Sequence, residues 1–250
     1  MTPPSFRRAR SAESKQQRAQ SLLDAARALA LEQGVAGVTL TAVASRAGVH
    51  HSAMRRYFDS HKDVLLRLAA DGWSRWADTV RGELDGRTVS PAELAAVLVM
   101  ALSADPLFCD LLANVPLHLE HDVPLERVIE FKKTGRDAVE TIASAVRNSV
   151  PSLADSAVDV VTAANALAAT LWQATHPAAP LAEAIRRDPS LSVVDPGGFE
   201  GTLGRLLTAA CEGLAIRRQS GGTAGGPCTS PPAGGRPPGA SAGSNAAENR

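Results

Sequence analysis

The stretch TLTAVASRAGVHHSAMRRYF, Thr39 to Phe58, sets three arginines and two adjacent histidines among apolar positions. Guanidinium and imidazole N–H groups donate to phosphate oxygens and to base edges, and a short helix carrying them fits the major groove of duplex DNA. No acidic residue lies between Ala36 and Arg56 to offset that charge. Residues 1–60 hold nine Lys/Arg against four Asp/Glu, although the whole chain balances at 26 of each. The positive excess is local, so an anionic partner is expected for the N-terminal part only.

Other chemistry is poorly supported. His118 and His121 in HLEHD stand at i, i+3, but Pro116 and Pro124 crowd the segment and no further ligand spacing accompanies them. A metal site is not expected there. The chain has no nucleophile elbow, phosphate-binding glycine loop, dinucleotide turn or HExxH pair, so neither an enzyme nor a bound cofactor is expected. Three cysteines without paired spacing, Cys109, Cys211 and Cys228, argue against a disulfide framework. No apolar leader is visible, and no run reaches the roughly 18 apolar residues of a membrane span. A cytoplasmic protein without membrane contact is expected.

The elements that must position the donors read as helices. Aromatics make up only 4% of the chain, and no branched, alternating run appears, so an all-α fold is expected. Residues 1–13 read as a flexible basic arm, whose Arg7, Arg8 and Arg10 could enter a minor groove. A first helix is expected over Ser14–Gln33, ending at Gly34. Thr39 is a good N-cap for a second helix over Leu40–Ala47. Gly48 can take a positive φ and turn the chain sharply. Val49, Met54 and Phe58 then point inward, and the next helix turns His50, His51, Ser52, Arg55 and Arg56 outward, its N-terminal dipole adding attraction for phosphate. Residues 14–62 thus read as a three-helix helix-turn-helix unit. Further helices are expected over His61–Leu84, Ser90–Ser103, Pro106–Ala113, Pro124–Asn148, Leu153–Thr175 and Phe199–Arg218, making residues 63–218 a larger helical domain. Residues 219–250 lack Leu, Ile, Val and Phe and are expected to be disordered.

The segments TLTAVASRAGV and MRRYFDSHKDVLL resemble the TetR family of one-component transcriptional regulators. Val43, Ala44, Ala47, Gly48, Val49, Tyr57, Phe58 and Ser60 fit the family pattern, and the likeness extends over about Ser14–Leu68. A weaker likeness, in FCDLLANVPLHLEHDVPLERVIEFKKTG, is to a subgroup common among actinobacterial members. The resemblance implies that His51, Ser52 and Ala53 lie nearest the bases. It also implies that Thr39, Arg55, Tyr57, His61 and Lys62 hold phosphates, and that Thr41 touches either. Three positions depart from the pattern: His50 replaces the usual Ser/Thr, Arg55 an aromatic, and His61 the usual Lys/Arg. A histidine at the last position should make that contact pH-dependent below about pH 6.5.

A regulator of this kind implies a repressor that binds a palindromic operator as a homodimer and is released by a small-molecule inducer. Residues 63–218 would then serve ligand binding and dimerisation. Trp73, Trp76, Leu98, Leu102, Phe108, Leu112, Phe131, Leu167 and Trp172 are candidate apolar walls of the ligand site, and Asn114, His118, His121, Gln173 and His176 candidate polar contacts. The helix over Leu153–Thr175 should be buried nearly all round. With the last helix it carries more apolar surface than one core needs, as a dimer interface would. The competing reading is a helical enzyme or scaffold in which residues 39–58 are merely a helix pair.

Overall fold

The computed structural model describes residues 4–194 and 198–221. The described residues form ten α-helices: α1 Pro4–Gln33, α2 Leu40–Arg46, α3 His51–Met54, α4 His61–Leu84, α5 Pro91–Ser103, α6 Pro106–Asn114, α7 Leu125–Ser149, α8 Ala157–Thr175, α9 Ala179–Arg187 and α10 Phe199–Gly221. Among the described residues there is no strand, and no single helix is long and apolar enough to cross a membrane.

The helix starts are set by short polar side chains. Thr39, Ser60, Ser90 and Asp105 each accept a hydrogen bond from the backbone N–H three residues on. Ser90 and Glu93 form a reciprocal capping box ahead of Pro91. α4 keeps the expected bounds and buries Val64, Leu65, Leu68, Trp73, Trp76, Val80 and Leu84. α7 packs along it, while α6, α8 and α10 close the body. One continuous core runs from Leu22 of α1 to Ala215 of α10, so the N-terminal unit and the larger body share packing through α4.

Three expectations need correction. α1 starts at Pro4 rather than Ser14, so the segment read as a flexible arm enters the helix; it holds Arg and Ala, both good helix formers, behind a proline suited to a first turn. Helix α9 has no counterpart among the expected helices, because it is short, bears Pro180 and buries only Ile185. α8 is not covered all round: Val158, Thr162, Ala166 and Thr170 are exposed along one face. On α10 the buried stripe is Phe199, Leu203, Leu207, Cys211 and Ala215, which leaves Leu206 45% exposed. Two faces of that helix are apolar, and periodicity alone does not choose between them. Beyond Gly221, the tail expected to be disordered lies outside the described residues.

Candidate nucleic-acid interface

α2 ends in a Schellman turn. Gly48 has φ 65°, its N–H donates to the Ser45 carbonyl at 3.2 Å, and the Val49 N–H donates to that of Ala44 at 3.0 Å. No atom would crowd a Cβ at Gly48, so backbone conformation alone selects glycine. Val43, Ala44, Met54 and Phe58 are buried beneath the turn.

That burial turns the donor face outward. His50, His51, Ser52, Arg55 and Arg56 are all exposed, as are Thr39, Thr41 and His61, while Ala53 and Tyr57 are half-buried. His50 fills the place expected for Ser or Thr by capping α3 itself. Its Nδ1 accepts from the Ser52 N–H at 3.3 Å and lies 2.8 Å from Ser52 Oγ. With Nδ1 used as the capping acceptor, Nε2 is the ring nitrogen left to meet DNA. Thr39 Oγ1 accepts from the Ala42 N–H at 3.1 Å, which spends a lone pair but not the hydroxyl proton that a phosphate would take. α3 has only four residues, too few for the helix dipole to add much. The side-chain donors carry the attraction instead.

Lys62, expected to hold a phosphate, has its ammonium engaged within the chain in the DNA-free protein. Its Nζ donates to the His121 carbonyl at 2.9 Å and to Asp122 Oδ2 at 3.1 Å. A residue assigned to DNA and one assigned to ligand thus meet each other.

Supporting residues that the sequence pattern did not reveal lie behind this face. Asp63, 1% exposed, accepts from the Asp59 N–H at 3.2 Å and from Arg67 Nε at 3.2 Å, and Arg127 of α7 lies 3.6 Å away. The Arg67 guanidinium lies 4.9 Å from the Phe58 ring centroid and reaches the Tyr57 carbonyl. Arg46 and Glu32 join α2 to α1 as a bidentate pair, which holds the carboxyl below and the guanidinium above their ordinary pKa values. Asp110 of α6 accepts from the Val35 N–H at 3.2 Å, and Asn114 and Gln173 donate to its other oxygen at 3.1 Å. Only the acid–base partner types were visible in the sequence; their pairings span up to 75 positions.

The ligand candidates do not share one hollow. Trp73, Trp76 and Phe108 pack against one another with centroids 5.5–6.1 Å apart. Leu98 and Leu102 are fully buried, and Leu112 nearly so. Trp172 stacks on His176 at 3.8 Å and meets Phe199 edge-on, Leu167 is half-buried, and His118 and His121 are exposed. Asn114 and Gln173 are engaged with Asp110. Trp76 lines a hollow of about 270 Å³ with Arg27 and Arg75, and Phe131 one of about 330 Å³ with Leu23, Asp63 and Arg67. A larger groove of about 840 Å³, between the far ends of α4 and α7, contains none of the candidates; Arg81, Arg87, Glu140, Thr141 and Ser144 line it. Among the described residues no cluster of three or more His, Cys, Asp or Glu could hold a metal.

Comparison with known proteins places this arrangement. Residues 22–68 match the family described as bacterial regulatory proteins, tetR family, and residues 70–218 match the tetracyclin repressor-like C-terminal domain. A search of curated proteins returned no match. Among solved structures, the fatty acid degradation regulator FadR of Bacillus halodurans is 14% identical with a TM-score of 0.49, over 76% of this chain and 94% of that one. FadR of Bacillus subtilis, in complex with stearoyl-CoA, is 13% identical with a TM-score of 0.48, over 76% and 97%. A TetR/AcrR-family regulator of Thermobifida fusca YX-ER1 is 22% identical with a TM-score of 0.43, over 77% and 97%. At such distances these neighbours say nothing about ligand or operator. The two family matches cover the helix-turn-helix and the helical body in succession, and the chain belongs to the TetR family of DNA-binding transcriptional regulators.

Proposed function

We propose that this regulator is a repressor that binds a palindromic operator as a homodimer and leaves it when a small molecule occupies the helical body. The observation that carries the DNA contact is the outward donor face, with His50, His51, Ser52, Arg55 and Arg56 all exposed around a turn anchored by buried Met54 and Phe58. In this reading His51, Ser52 and Ala53 meet base edges, and Thr39, Arg55, Tyr57 and His61 meet phosphates. Residues 14–62 read the DNA, residues 63–218 sense and dimerise, and α4 crosses that boundary. Two recognition segments one helical turn apart would match a two-fold operator.

The uncharged, exposed face of α8 at Val158, Thr162, Ala166 and Thr170, together with Leu206 and Ala209 of α10, suits a second copy of the chain. Small residues there let helices approach closely. Its role is regulatory rather than catalytic, and its place is the cytoplasm, beside DNA. Inducer release follows if the ligand binds the DNA-incompetent orientation better than the competent one.

The test is binding of the purified protein to duplex DNA from upstream of its own gene. A Arg55→Ala/Arg56→Ala variant should lose affinity broadly and lower the salt slope by about 1 per phosphate contact removed. An unchanged slope would remove both arginines from the interface. Val158→Glu with Leu206→Glu should convert a sedimenting dimer to monomer; a variant that stays dimeric places the interface elsewhere.

A further inference from the structure

We propose that Lys62 is a gated phosphate contact. Asp122 and the His121 carbonyl hold its ammonium in the DNA-free protein, and a DNA phosphate takes their place on binding, which releases the connection between α6 and α7. The inference rests on the helix-turn-helix being the DNA-binding face.

Lys62 stands on the first turn of α4, and this turn is tied rigidly to the recognition unit. Ser60 Oγ caps it, and Asp63 reaches back to the Asp59 N–H. Its neighbour His61 is exposed on the same turn. The Lys62 side chain is only 21% exposed, because its ammonium is spent on one carbonyl and one carboxylate oxygen of the connection. A phosphate offers the same anionic oxygen chemistry, so the exchange replaces like with like. The ammonium–carboxylate pair has its acid side 89% exposed, and such pairs contribute little, so the contact is weak enough to be displaced.

The connection also has unusual backbone geometry. Val115–Leu119 forms a π-helical turn, a rare geometry that is frequent at functional sites. Asp122 follows with φ 59°, the one described non-glycine residue in that region, and residues so placed cluster in switch segments. The segment then enters α7, where Arg127 lies 3.6 Å from Asp63. A shift in the connection therefore alters two points on the first turn of α4 together. By linkage, whatever moves the connection changes DNA affinity, and DNA changes the connection to the same extent.

The probe is a fluorescein-labelled random-sequence duplex titrated at several salt concentrations, with the full chain throughout. Lys62→Ala should lower the log–log salt slope by about 0.9, the contribution of one phosphate contact. Asp122→Ala should tighten binding by up to about fivefold, the release of one exposed pair, and that gain should vanish in the Lys62→Ala background. Glu126→Ala, which removes another exposed acid close by on α7, should show no such dependence on Lys62. Hydrogen exchange at residues 119–123 should speed up on adding duplex. A Lys62→Ala slope equal to that of the unaltered protein, or exchange that is unchanged or slower, overturns the gate. If Arg55→Ala/Arg56→Ala loses binding while Lys62→Ala does not, the gate fails and the interface stands. If the unaltered protein ignores duplex at low salt, both fail.

Discussion

Around Gly48 the hydrogen bonds that backbone N–H groups donate to shape the turn span five residues or fewer: Val49 to Ala44, Gly48 to Ser45, Ala42 to Thr39, Ser52 to His50. Gly72, inside α4, is constrained by a contact that is not local. A Cβ there would overlap the ring of Phe108, and the same aromatic cluster takes in Trp73, which lies beside Gly135 of α7. The first glycine is selected by a backbone angle and the second by a neighbour brought in from another helix. The DNA-reading turn is therefore a local device set on a scaffold, whereas the body is a packed interior whose parts have meaning only together. The two regions should fail differently when altered.

Gly72→Ala should have the largest effect on stability. Phe108 must move out of a close-packed cluster, at about 1–3 kcal/mol, and a thermal melt should show the whole chain losing stability. Asp110→Ala should rank next. It leaves the Val35 N–H and the Gln173 amide without their acceptor, while Asn114 keeps the Asp110 backbone carbonyl at 2.8 Å; the cost is about 2 kcal/mol, and hydrogen exchange should rise at Val35, on the DNA-binding side. Exchange that rises only within α6 and α8 would show that Asp110 is not a tie between the two regions.

Gly48→Ala should cost about 1–2 kcal/mol, the left-handed penalty alone, with no packing term. Its signature is local opening of α2 and α3 in hydrogen exchange and weaker DNA binding, with the aromatic cluster undisturbed. His50→Ala should cost about 1 kcal/mol through the lost cap, and His50→Ser should restore it. If serine does not rescue, the imidazole contributes something other than capping.

The smallest effect is a protection rather than a loss. Burial, with Asp105 and Asp110 adding to it, pushes the Cys109 thiol up to about 12, and burial with Glu212 pushes Cys211 to about 11. Thiolate reagents at neutral pH should leave both unmodified in the native protein and reach them on unfolding. Rapid labelling of Cys109 would show the body to be looser than its packing indicates.

The recognition unit was legible because its signals are short. A capping threonine, a glycine at the turn, apolar residues at helical spacing and an uninterrupted run of donors all lie within twenty positions, and each acts on its near neighbours. Even the unusual His50 could be flagged as a departure, although its use as a cap needed atomic positions. Helix bounds in the body were legible for the same reason: Ser90-Pro91 and Pro106 mark ends whatever surrounds them.

The candidate ligand walls were not legible in this way. Trp73, Trp76 and Phe108 are the aromatic residues that either a core or a pocket would use, and only their mutual contact shows them to be core. Asn114 and Gln173 were equally fit to meet a ligand or an aspartate, and Asp110 took them.

The sequence by itself determined an all-helical chain, a basic N-terminal unit and the residues of its outward face, since these depend on propensity, period and local capping. Only the tertiary structure decided which charges are free. Lys62 is held by Asp122, sixty positions away, and Asp63 joins Arg67 of its own helix to Arg127 of α7. The physical reason is that an ion pair is chosen by distance in space, and residue type and spacing say nothing about that until the helices have packed.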